Sequence, residues 1–200
     1  MRTYKIHLIR HGLTDGNLKG QYIGRTDLPV TPEGVKELQM LKETVEYPNV
    51  PLLYSSPMLR CRQTAKVLFP DNEITVIDNL REYDFGDFEG KTAAELEIDP
   101  AYLEWTSGKA SGTPNGEDNA EFAGRIALGI NEVIRDMMEK GVYRSAVIMH
   151  GGTIMTFLAS CGLPRRHLAE WATGNGRGYT ILVDPSIYSR TGAVEVIDLI

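Results

Sequence analysis

The sequence is poor in cysteine. Of its 200 residues only Cys61 and Cys161 carry a thiol. They lie far apart, and neither sits in a spacing that binds zinc or cycles a dithiol. Such usage points to a reducing compartment. Long apolar runs are missing as well; none reaches the ~20 residues of a membrane span. The opening MRTYKIHLIRHG has no signal-peptide pattern, so a cytoplasmic location is expected. Positive charge is in deficit: 21 Lys and Arg face 27 Asp and Glu, a net charge of −6. The chain as a whole therefore repels nucleic acid and anionic membrane, and neither is an expected partner. An anionic substrate has to be held locally, by placed arginines. Acidic residues are plentiful, but none falls in a defensible metal-ligand spacing, so neither metal nor cofactor is expected. Repeats, low-complexity tracts and linkers are also absent. One domain over residues 1–200 is expected, long enough for a single core.

What is present is organised around LIRHGLTDGN, residues 8–17. The alternating apolar run Tyr4 to Ile9 reads as a strand, broken by Arg10-His11-Gly12. The Arg10 fork suits two oxygens of a phosphoryl group. A neutral His11 nitrogen suits attack on phosphorus. Thr14 and Asn17 offer polar contacts to His11 or to phosphate oxygens. An incidental His at a strand end accounts for this stretch equally well when it is taken alone.

The same architecture recurs. Thr31-Pro32-Glu33 starts a helix that Pro48 and Pro51 stop. Leu52 to Ser55 reads as a strand, and Ser56-Pro57 as the start of a second helix that ends near Phe69-Pro70. Arg60 falls in its first turn, where a cation opposes the helix dipole unless it faces an anion; Arg62 reads as solvated. Residues 74–78 form another strand candidate. Glu82 then sits among Leu80, Tyr83, Phe85 and Phe88, where desolvation raises a carboxyl pKa toward that of a general acid. Arg81 opposes that shift, and Asp84, Asp87 and Glu89 compete with Glu82 on composition. Residues 91–117 suit a capping insertion or binding loop, with Tyr102, Trp105 and Lys109 as substrate contacts. Asp118 to Lys140 is an amphipathic helix closed by Gly141. Strand Ser145 to Met149 ends in His150-Gly151-Gly152, whose amides open a helix from Thr153 to Cys161 and suit an anion. Arg165 to Ala172 reads as a short helix, and Tyr179–Asp184 with Ala193–Leu199 as a closing hairpin. Asn175-Gly176 is a turn that also suits a side chain at the site mouth. His11, Arg60 and His150 each lie at or just past a strand's carboxyl end, where sites in open α/β sheets gather.

These motifs resemble the histidine phosphatase superfamily, with its phosphoglycerate mutase-like fold. RHG with Thr14 and Asn17, GRTDLPVTPEG, SSPMLRCRQTA, LREYDFGDFEG and VIMHGG follow one another in the family's order. The resemblance implies a three-layer α/β/α sandwich with a mostly parallel central sheet. It implies a metal-independent phosphomonoesterase acting on a small phosphorylated metabolite, with His11 as the phosphorylated nucleophile. Glu82 becomes the proton donor, and Arg10, Asn17, Gly24, Arg60, His150 and Gly151 form the phosphate site. It leaves a homodimer open. REYDFGDFEG and the short chain resemble alpha-ribazole phosphatase-like and phosphoglycerate mutase-like phosphatases more than glycolytic mutases. Mutase-type transfer and a non-catalytic phospho-ligand sensor are the alternatives. Gly116-Glu117-Asp118 stands where such phosphatases often have Gly-Glu-Ser, which places an added carboxylate near the pocket.

Overall fold

The computed structural model describes residues 3–200. Strand β1 (Tyr4–Arg10) alternates strictly: Tyr4, Ile6 and Leu8 face one core, and Ile9 the other. A short helix α1 (Asp15–Leu18) follows, then α2 (Pro32–Thr44). Thr31 caps α2 by accepting the Gly34 amide at 3.0 Å, and Pro32 occupies its first turn, as the sequence predicts. Next come β2 (Leu52–Ser55), α3 (Leu59–Leu68) and β3 (Ile74–Val76), the last two residues shorter than the sequence suggested. Helices α4 (Ala93–Leu96) and α5 (Pro100–Thr106) occupy the insertion, and α6 (Asn119–Glu139) is the long amphipathic helix. The chain closes with β4 (Arg144–Met149), α7 (Gly151–Cys161), β5 (Gly162–Leu163), β6 (Gly178–Val183), α8 (Pro185–Thr191) and β7 (Val194–Leu199).

Among the described residues the strands form one sheet in the order β3-β2-β4-β1-β6-β7-β5. β6 pairs antiparallel with both its neighbours, and every other pairing is parallel. Both faces are covered, as a mostly parallel sheet requires. α6 and α7 pack on one face with Tyr54, Val147 and Met149. α2 and α3 pack on the other with Leu53, Ala146 and Ile148. The result is a three-layer α/β/α sandwich.

Four local expectations are corrected. α3 starts at Leu59, not Ser56-Pro57. Ser56 Oγ is drawn 2.8 Å from His150 Nε2, and Asp27 from a distant loop caps the helix by accepting the Leu59 amide at 2.7 Å. α7 starts at Gly151 rather than Thr153, because the Thr153 hydroxyl accepts the His150 amide and closes the first turn. Residues 165–172 hold only a 3-10 turn, Leu168–Trp171, seated on buried Trp171. β6 and β7 do pair, but α8, capped by Asp184, fills the connection in place of a loop.

Candidate active site

Three neighbouring parallel strands, β2, β4 and β1, deliver their carboxyl ends to one place. Arg10 is the register partner of Met149, so the next residues, His11 and His150, stand abreast. Their rings meet edge to face with centroids 5.2 Å apart. Arg60, on the first turn of α3, reaches this pair and donates its Nε to His150 Nδ1 at 3.2 Å. Its two remaining nitrogens donate to the carbonyls of Thr26 and Gly24, each at 3.0 Å. This cation is only 1 % exposed and has no carboxylate partner among the described residues. A buried, unpaired guanidinium is costly, which makes an anion its natural complement.

His11 is buried, and its Nδ1 donates to the Gly12 carbonyl at 2.8 Å. That bond fixes the tautomer with the lone pair on Nε2. Burial, then the Arg60 charge, and more weakly Arg10, lower its pKa to about 3, so the ring is neutral across ordinary pH. Asn175 Nδ2 ties the site together, donating to the His11 carbonyl at 2.8 Å and to Asn17 Oδ1 at 3.3 Å. Asn17 Oδ1 also accepts from the Thr14 amide and hydroxyl, at 3.1 and 3.0 Å. These bonds orient the Asn17 side chain and leave its NH₂ without an acceptor among the described residues. Arg10 Nη1 donates to the Thr173 carbonyl at 2.6 Å, while its buried Nε has no partner among the described residues.

His150 is also neutral, held well below its usual pKa by burial and by Arg60. Both ring nitrogens are engaged within the protein, one by Arg60 and one by Ser56. Glu82 approaches from the opposite wall. Its Oε1 accepts the Tyr83 amide and its Oε2 the Gly152 amide, both at 2.9 Å. The Gly152 amide therefore serves Glu82 instead of standing free for an anion. A Cβ on Gly152 would come 2.5 Å from Glu82 Oε1, so the contact requires glycine. Desolvation raises the Glu82 pKa, against the two amide bonds and the charges of Arg60 and Arg10. Arg81, the expected opponent of that shift, is exposed, and Arg10 and Arg60 take its place.

Gly24 contributes its carbonyl to Arg60, and its amide goes to Glu89 Oε1 at 2.9 Å, so its polar groups are already committed. Tyr102 and Trp105 belong to an aromatic cluster with Tyr22, Tyr83, Phe85 and Phe88, which makes them wall rather than reach, and Lys109 is exposed. Asp118 caps α6 through the Ala120 amide at 2.7 Å, a task that serine performs equally well. Its carboxylate does not line the cavity that holds Glu82, but it lines the adjoining cleft with Gly116 and Glu117.

Beside Glu82 opens a cavity of about 580 Å³ lined by Arg25, Met58, Arg81, Asp84, Glu117, Glu121 and Arg125. Arg125 went unremarked in the sequence, and Glu117 was noted only as part of Gly116-Glu117-Asp118. The available signal was a cation at 125, three residues after buried Phe122 and beside Ile126, on the apolar stripe of α6. Among the described residues no group of three or more His, Cys, Asp or Glu side chains is placed to hold a metal ion. No helix among them is long and apolar enough to cross a membrane.

This geometry can carry an in-line transfer: an imidazole lone pair, guanidinium and amide donors, and a carboxyl facing one pocket. The chain is 27% identical to the adenosylcobalamin/alpha-ribazole phosphatase of Escherichia coli, over 86% of each chain. It is 29% identical to a probable phosphoglycerate mutase of Proteus mirabilis, covering 80% of this chain and 76% of that one. The crystal structure of phosphoserine phosphatase from Entamoeba histolytica in complex with 3-phosphoglyceric acid superposes with a TM-score of 0.77 at 26% identity, over 98% of this chain and 95% of that one. A family model matches residues 6–186, and the chain belongs to the histidine phosphatase superfamily, branch 1.

Proposed function

We propose that the protein is a metal-independent phosphomonoesterase that hydrolyses a small phosphorylated metabolite through a phosphohistidine on His11. The observation that carries this reading is the Nδ1 bond of His11 to the Gly12 carbonyl, which leaves a neutral ring with its Nε2 lone pair free. Nε2 attacks the phosphorus, and the P–O bond to the alcohol breaks in line. Glu82, whose pKa desolvation raises, gives its proton to the departing oxygen. The resulting carboxylate then takes a proton from water, whose oxygen attacks the phosphohistidine and releases inorganic phosphate with His11 neutral again. Arg10, Arg60 and the Asn17 amide supply positive charge and donors to the equatorial oxygens, where charge spreads in the transition state. His150 supports Arg60 and lines the same pocket. One domain carries this chemistry, and residues 91–117 wall the leaving-group cavity through Gly116 and Glu117.

Hydrolysis is favoured over mutase-type transfer by the charges at the mouth. Arg25 is paired with Asp84 at 2.9 Å and Arg125 with Glu117 at 2.7 Å. A second anionic group on the substrate would compete with carboxylates already in place. Isomerisation of 3-phosphoglycerate, assayed with and without a bisphosphate primer, separates the two. Trapping with a labelled phosphate ester tests the covalent step: acid-labile, base-stable label is expected on wild type and not on His11→Ala. Label on any other residue overturns the assignment.

A further inference from the structure

Arg125 projects from α6 toward the segment that carries Glu82. All five of its N–H donors are spent. Nε donates to Glu117 Oε1 at 2.8 Å, and Nη2 to Glu117 Oε2 at 2.7 Å. Nη1 donates to the carbonyls of Asn79 and Arg81, both at 3.0 Å, and Nη2 also to the carbonyl of Glu82 at 3.3 Å. Glu117 grips the segment from the other side. Its amide donates to the Asp84 carbonyl at 3.0 Å, its Oε2 accepts the Asp84 amide at 3.3 Å, and its carbonyl accepts the Tyr83 hydroxyl. The backbone on both sides of Glu82 is therefore clamped by one ion pair.

Among the described residues the Glu82 carboxyl itself is hydrogen-bonded by two backbone amides and by no side chain. Its position thus follows the backbone of residues 79–84. We infer that Arg125, with Glu117 as its counter-ion, is the positioning residue for Glu82: it places the carboxyl at the leaving-group oxygen without touching the phosphoryl group. The inference rests on the reading of Glu82 as general acid. A proton donor works only within hydrogen-bond reach, and a displacement near 1 Å costs on the order of 10²-fold in rate. Lysine keeps the charge of Arg125 but not the fork that spans three carbonyls and a carboxylate.

The test compares Arg125→Lys, Arg125→Ala and Glu117→Gln with Glu82→Gln. Each variant is assayed on glycerol phosphate, whose alkoxide needs a proton, and on p-nitrophenyl phosphate, whose leaving group does not. Inhibition by vanadate reports whether the phosphoryl pocket is intact. The expected result is a fall of about 10²-fold on the alkyl ester, a much smaller fall in the aryl burst, and unchanged vanadate inhibition. The basic limb of the alkyl pH profile should also move to lower pH, as a displaced Glu82 regains water. Arg125→Lys and Glu117→Gln carry the test if Arg125→Ala does not fold. Equal losses on both esters, with an unmoved profile, make the clamp merely structural and overturn the inference. If Glu82→Gln itself fails to separate the esters, the general-acid reading falls and the inference falls with it.

Discussion

The carboxylate of Glu82 and the amide of Gly152 meet at 2.9 Å, across the gap between the loop after β3 and the first turn of α7. That contact docks the proposed proton donor against the first turn of the helix that follows His150. It separates two tasks for Glu82, protonating the alcohol and activating the water. Only the first can be bypassed by a good leaving group. Glu82→Gln should lose roughly 10²–10⁴-fold on alkyl phosphates. On p-nitrophenyl phosphate it should phosphorylate His11 and then stall. Stopped flow should show a burst approaching one equivalent per site, followed by a slow steady rate. No burst, with both substrates lost equally, would remove Glu82 from the role and turn attention to Asp84.

Gly152→Ala tests the contact from its other side. The new methyl would press on the Glu82 carboxyl, 2.5 Å from Oε1. Gly152 lies in the first turn of α7, where alanine suits the helix. Thermal stability should therefore hold while kcat on an alkyl ester falls by about 10-fold or more, since misplacement near 1 Å costs on the order of 10². A fall in Tm with kcat unchanged would contradict this.

Divalent metal should be dispensable. Arg10, Arg60 and the Asn17 amide already present the positive charge and donors that a metal supplies elsewhere. Dialysis against EDTA should leave the rate unchanged, and a loss restored by magnesium would refute the point. Vanadate should inhibit, because its trigonal bipyramid resembles the transition state.

Acid should destabilise the fold through buried histidines. His7 faces Thr180 Oγ1 at 2.9 Å, and burial, with the nearby Lys5 and Arg144, lowers its pKa to about 4. His11 is lowered to about 3 and His150 in the same direction. The unfolded chain binds protons near pH 6.5, the folded chain only below these values. Their contribution to stability is therefore intact above pH 6.5 and is lost as pH falls toward 4 and below. Urea titrations between pH 7 and 4.5 should show unfolding free energy falling with pH. His7→Gln should reduce the slope by up to ~1.4 kcal/mol per pH unit, one proton's worth. An unchanged slope would show that His7 titrates alike in both states.

The layers and the strand-end cluster were legible because they rest on local patterns. Tyr4 to Arg10 shows its two faces by alternation, and Thr31-Pro32-Glu33 announces its helix by capping chemistry alone. What stayed hidden depends on partners distant in sequence. Ser56 looks like a cap until His150 claims it. Gly152 looks like an open anion site until Glu82 fills it. The fork of Arg125 acts on carbonyls, and a carbonyl leaves no mark in a sequence, whereas Asn175 stood out through its Asn-Gly turn. Asp118 stood out by its charge, while its work as the cap of α6 was not read from the sequence.

The position of β1 in the sheet has a consequence for synthesis. It is made before every other strand among the described residues, yet its neighbours are β4, beginning at Arg144, and β6, beginning at Gly178. Until those segments leave the ribosome, Tyr4 to Arg10 has neither edge paired. An emerging chain thus carries an apolar ribbon that its first 140 or so residues cannot satisfy, the kind of delayed, non-local closure that slows folding and invites chaperones. The same delay keeps His11 from standing beside His150 until the second half of the chain exists. A chain truncated before β4 therefore lacks the His11–His150 contact, and on the proposed reading it should show no turnover.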